Sequence, residues 1–109
     1  MPTSYKVLGQ SAPVATTDTN IYTVPAETQT VISTITICNR AATGGTYRIA
    51  VRPDGATLAN DHYIVYDAAC APNDTVAFTI GITINAADVI TVYASSANFT
   101  FNVYGSEIT

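Results

Sequence analysis

Apolar and weakly polar residues alternate along most of this chain, with a period of two. In Thr75-Val76-Ala77-Phe78-Thr79-Ile80, Val76, Phe78 and Ile80 point one way and Thr75, Ala77 and Thr79 the other. Successive side chains on a strand project to opposite faces, so the pattern describes a sheet with one greasy face and one face of hydroxyls and methyls. About eight such strands are predicted, separated by turn signals every ten or so residues. They are Tyr5–Gln10, Asn20–Val24, Thr28–Cys38, Thr46–Arg52, His62–Asp67, Asp74–Ile80, Asp88–Ala94 and Asn98–Gly105. On the third, Val31, Ser33, Ile35 and Ile37 are expected to share a face. On the fourth, Tyr47, Ile49 and Val51 are expected to face in, and Thr46, Arg48, Ala50 and Arg52 out. On the last, Phe99, Phe101 and Val103 are the inward set.

The punctuation between strands has a mechanism. Gly44-Gly45 permits positive φ, and Pro53-Asp54-Gly55 combines a preset φ with a residue that tolerates the left-handed region. Gly81–Ala87 is ambiguous and extends the sixth strand or merely connects it. No ten-residue window shows the 3.6-residue period of an amphipathic helix. The expected fold is all-β: a two-sheet antiparallel β-sandwich of about eight strands, jelly-roll or immunoglobulin-like. Residues 1–109 read as one domain, with residues 1–18 either an extended arm or a first strand.

Composition sharpens this. Only 11% of the 109 residues are charged, four Lys or Arg and eight Asp or Glu, against about 25% in typical domains. The outward positions are therefore filled by Thr, Ala, Ser and Asn, a surface that does little to repel a neighbouring protein. A net charge of −4 argues against a nucleic-acid groove, which needs clustered cations. No basic-then-apolar leader opens the sequence, and no apolar run approaches the ~20 residues of a membrane helix. Cys38 and Cys70 are too few and too far apart to read as a metal site. In a reducing compartment they are expected as free thiols, although sequence does not exclude a bridge.

Candidate chemistry is sparse. His62 is the one histidine, so any catalytic triad must use it, and no nucleophile elbow, phosphate loop or H-E-x-x-H accompanies it. The acids fall at turns, where Asp bonds nearby backbone N–H groups. No enzyme, metal or cofactor is expected. Four residues are singled out for interfaces. Arg48 and Arg52 sit roughly 13 Å apart on one strand face by strand rise. They either keep an exposed strand soluble or pair with carboxylates of a neighbouring subunit. Of seven tyrosines, Tyr47 and Tyr63 are expected in the core, and Tyr66 and Tyr104 exposed.

Four stretches carry a resemblance. Tyr22-Thr23-Val24-Pro25-Ala26, Ile37-Cys38-Asn39-Arg40, Tyr47-Arg48-Ile49-Ala50-Val51-Arg52-Pro53 and Phe101-Asn102-Val103-Tyr104-Gly105-Ser106-Glu107-Ile108 together resemble a family of small structural proteins of tailed bacteriophages, including cyanophages. The similarity runs from about Tyr5 to Ile108. It implies a virion component, made in the host cytoplasm and built into the particle, with no catalytic residues to transfer. Within that frame the expectation is a capsid cement or decoration protein. It would bind the major capsid protein or other virion proteins and form a dimer or trimer. A tail, neck or baseplate part is the runner-up. A module binding carbohydrate or a host receptor through Tyr66 and Tyr104 is a third reading.

Overall fold

The computed structural model describes residues 2–109. Nine strands form: β1 (Thr3–Ser11), β2 (Thr19–Thr23), β3 (Gln29–Asn39), β4 (Gly45–Arg52), β5 (Tyr63–Cys70), β6 (Thr75–Phe78), β7 (Ile82–Ile84), β8 (Val89–Ala94) and β9 (Phe99–Ile108). Short 3-10 turns at Pro53–Gly55 and Asn60–His62 lie between β4 and β5. The sixth strand ends at Phe78 rather than Ile80, leaving Ile80 exposed, and the ambiguous stretch Gly81–Ala87 resolves into a break and a further strand. Gly81 takes a left-handed φ of 59°, which ends β6, and β7 then pairs with β3 beyond it.

All strand pairs are antiparallel, and they form two sheets. One runs β1-β9-β3-β6 with β7 also on β3; the other runs β2-β8-β4-β5. The pairings β4·β5, β3·β6 and β3·β7, β2·β8 and β1·β9 are the rungs of one long hairpin. Wrapping that hairpin around a core brings β9 beside β3 and β8 beside β4. This strand order is the jelly-roll form of the sandwich, not the immunoglobulin form.

The core lies between the sheets, with Ile32, Ile35, Ile37, Ile90, Val92, Phe99, Phe101 and Val103 wholly buried. Tyr47 sits at its centre, 6.3 Å from the Phe99 ring and 6.5 Å edge-on from Phe101. Such aromatic pairs contribute about 0.5–1.5 kcal/mol each beyond the area they bury.

Bulges correct several expected facings. The β3–β9 register shifts between Ile32 and Thr34, so Thr30 and Ile32 are buried on one side of the shift and Ile35, Ile37 and Asn39 on the other. Ser33 is exposed and Val31 only half-buried, against the expected inward set. The extra residue moves the phase of alternation by one. Gly105 makes this possible: a Cβ there would run into the Val31 carbonyl oxygen. On β4, Ala50 is buried although it faces out, and Val51 is half-buried. His62 closes the 3-10 turn rather than opening the strand.

Candidate interaction surfaces

The two outer faces differ in kind. Residues paired across a ladder share a face, so the outer face of the five-stranded sheet can be read from its register. Its rows are Thr3–Ile108–Gln29, Tyr5–Ser106–Val31–Thr83, Val7–Tyr104–Thr34, Gln10–Asn102–Thr36–Ala77 and Thr100–Cys38–Thr75. None of these residues is charged. The nearest cation is Arg40, just past the end of β3, whose Nε donates to Thr100 Oγ1 at 2.8 Å. Tyr5 (85% exposed) and Val7 (49%) stand at the β1 edge of this face, with half-buried Tyr104 directly opposite Val7.

The outer face of the four-stranded sheet is a polar network. A bulge sets both Tyr66 and Asp67 against Arg48, and Asp67 takes a φ of 52° to allow it. Asp tolerates that conformation better than most residues. The Arg48 guanidinium lies 4.3 Å from the Tyr66 ring centroid and 4.2 Å from that of Tyr93. Its Nε donates to Asp67 Oδ1 at 2.6 Å and its Nη2 to Oδ2 at 3.3 Å. The Asp67 carboxylate pushes the already high Arg48 pKa further up, against a smaller opposing effect of burial.

A second register shift in the same strand pair, between Ile49 and Ala50, corrects the reading of Tyr63. In a regular strand Tyr63 and Tyr66 face opposite ways, and Tyr63 was expected in the core. Here Tyr63 is half-buried on the outer face, its ring edge-on to Tyr66 at 4.9 Å. With Asn60 the two tyrosines line an open depression of about 450 Å³.

Arg52 is held just as fully. Its Nε donates to Ala56 O, its Nη2 to Gly55 O, and its Nη1 to Asn20 Oδ1 at 2.8 Å and Thr91 Oγ1 at 3.3 Å. Four backbone and side-chain oxygens thus tie the end of β4 to the following turn and to β2. All three guanidinium nitrogens of Arg52 are engaged within the chain, as is the Nε–Nη2 fork of Arg48.

The four residues singled out from sequence therefore do not form one site. Arg48, Arg52 and Tyr66 share the outer face of the four-stranded sheet, and Tyr104 lies on the opposite side of the molecule. Sequence reasoning missed Tyr93, Asp67 and Asn20 as their partners, because the bulge that gathers them leaves no compositional trace. It also missed Tyr5 and Val7, which the alternation of β1 and its edge position expose.

Buried polar groups are satisfied, among the described residues, with no orphaned side-chain atom. Glu107 is buried near the β1 edge; Lys6 pairs with it at 2.6 Å and Tyr22 OH donates to it at 2.6 Å. Tyr22 also meets Thr30 at 2.8 Å. Lys6 first, then Tyr22, hold the Glu107 pKa below the usual carboxylate range. Burial, reinforced by Glu107, pushes Tyr22 up to about 12. Asn39, wholly buried, donates to the Thr43, Cys70 and Ala71 carbonyls and accepts from Ala41 N. Each of these is an internal fastening.

His62 Nδ1 accepts the Ala59 N–H at 3.0 Å, and Asp61 lies 3.7 Å from Nε2. The ring thereby closes its own turn. Both cysteines are free: Cys70 is buried with its thiol pKa raised by that burial, and Cys38 is half-buried on the uncharged face. Among the described residues no three His, Cys, Asp or Glu side chains gather as a metal site, and no helix is long and apolar enough to cross a membrane. No family model, curated protein or solved structure matches the chain.

Proposed function

We infer that this chain is a structural subunit of a tailed bacteriophage particle, a cement or decoration protein that packs among capsid subunits and catalyses nothing. The observation that carries this reading is the outer face of the five-stranded sheet. Five rows of side chains cross it without a charge, and Tyr5 and Val7 stand exposed at its rim. Charged groups strip off water reluctantly, so a face without them is covered at little cost. The polar groups capable of chemistry are meanwhile engaged in holding the fold. The jelly-roll strand order fits the same reading as an analogy, since that architecture serves in viral capsid and lectin domains; architecture alone does not assign a role.

A capsid placement, rather than tail, neck or baseplate, rests on the family resemblance and on the need of a shell protein for broad, flat contacts. The test is incubation of purified protein with isolated, undecorated capsids, followed by sedimentation. Co-sedimentation saturating at hundreds of copies per particle supports the placement; a few dozen copies moves the protein to the tail. Protein that stays in the supernatant overturns the capsid placement.

One observation favours a second reading. The depression beside Tyr66 presents two aromatic rings and an amide, the groups that sugar sites use. Glycan binding through it predicts that Tyr66→Ala abolishes retention on immobilised host polysaccharide. Equal retention of both proteins, or none, ends that reading.

A further inference from the structure

We propose that the uncharged outer face of the five-stranded sheet is covered by a second copy of this chain, related by a two-fold axis lying in the plane of the face and perpendicular to its strands. The inference deepens the particle reading above, by naming the first partner of the packing face, and depends on it only for the biological setting.

Size gives the first argument. β9 is ten residues long, about 33 Å at strand rise, and the sheet is four strands wide because β6 and β7 lie end to end on β3. The face covers about 600 Å² in projection. Side-chain relief brings that near the ~800 Å² per partner of a standard stable interface.

Charge gives the second. A chain of net charge −4 meeting its own copy needs a contact that does not oppose like charges. This face supplies one, whereas the other sheet would set Arg48 and Arg52 against their own copies. The ends complement each other as well. Arg40 follows β3 at one end of the face, and exposed Glu27 precedes it at the other. The stated axis reverses the strands, so the Arg40 end of one copy lies over the Glu27 end of its partner.

Symmetry gives the third. Val7 and Thr34 are the midpoints of β1 and β3, and Tyr104 lies beside the midpoint of β9. These three form a single row. An axis along that row packs Val7 on Val7 and Tyr104 on Tyr104, so an aromatic ring and an exposed valine from each copy form a central anchor. Aromatic anchors near the centre carry most of the binding energy in interfaces of this size. The flanking rows then exchange: Thr36 of each copy meets Val31 of the other, as an isologous contact requires.

The test is molar mass by light scattering and sedimentation equilibrium across a concentration series. The expected species has twice the 11.4 kDa of the single chain. Thr34→Arg, which sets two cations together on the axis, weakens association on the order of a hundredfold. Ala69→Arg, an exposed position on the other sheet, leaves it unchanged. Thr36→Lys alone weakens the dimer, and Val31→Glu added to the same chain restores it, because those two positions meet only across the axis. A monomer at every concentration overturns the proposal, as does a dimer lost on Ala69→Arg but kept on Thr34→Arg. Capsid co-sedimentation is read separately: a monomer that still enters particles refutes the dimer and leaves the particle reading intact, and a dimer that never enters them does the reverse.

Discussion

The two sheets of this sandwich carry comparable numbers of strands and share one core, yet their outer faces are built on opposite plans. The four-stranded sheet closes its surface with its own side chains: Arg48 between two tyrosine rings and a carboxylate, Arg52 on four oxygens. The five-stranded sheet leaves its surface as rows of threonine, asparagine, serine and tyrosine with no ionic partners. A charge placed on a strand must find an opposite group or stay in water, so a face that lacks charges is the one a neighbour can dry. The contrast teaches that two of the four cations, Arg48 and Arg52, stabilise one outer face, whereas the strand positions of the other outer face carry no charge.

The largest way to break the comparison is Arg48→Ala combined with Arg52→Ala. Removing two cation–π contacts, a bidentate pair and the Arg52 fastenings is expected to cost about 3 kcal/mol, discounted for the partial exposure of Asp67. The two positions lie far enough apart to add. The melting temperature should fall on the order of 10 °C or more. Wild-type stability in calorimetry would mean that this network is only surface decoration. Arg48→Lys is expected to recover less than half of the Arg48 share, because an ammonium neither forks onto Asp67 nor stacks flat between two rings.

A smaller effect tests the inner fastening near the β1 edge. Glu107 has a lowered pKa in the fold, so its stabilisation is complete above the unfolded carboxylate range and is lost as pH falls through the folded value. Tyr22 is raised from 10.0 to about 12, so its contribution is complete below pH 10 and lost as pH climbs toward 12. Urea titrations across pH should show both limbs, and Tyr22→Phe should flatten the alkaline one. An unchanged alkaline limb in that variant would place the loss on another group. The smallest effect belongs to the uncharged face: Thr36→Ala and Thr75→Ala should each shift the stability of the isolated chain by less than about 0.5 kcal/mol.

Much of this architecture is legible in the residues. Alternation located the strands, and it placed Tyr47, Ile49, Phe99, Phe101 and Val103 correctly inside. What it missed lies at bulges. Ser33 and Tyr63 sit at or beside register shifts, and such a shift depends on the partner strand rather than on local composition. Gly9 and Gly105 were the available hints. A Cβ at either would strike a neighbouring backbone carbonyl, and a register shift lies beside each. A glycine inside a strand often marks such a place. The jelly-roll order was not legible, since pairing β9 with both β1 and β3 is a long-range outcome of wrapping. Of the candidate surface, Arg48 and Arg52 were correctly put on one outward face, but their internal partners come from three other strands and a turn.

The most direct test of the central idea, that the uncharged face is made to be covered, uses a residue already present. Cys38 lies on that face and Cys70 is buried in the core, so alkylation of the native chain reports on Cys38. Its rate should fall at least several-fold as protein concentration rises through the association range, and Thr34→Arg should abolish the fall. A rate that is the same at every concentration, in a chain shown by mass to have associated, would put the contact somewhere else.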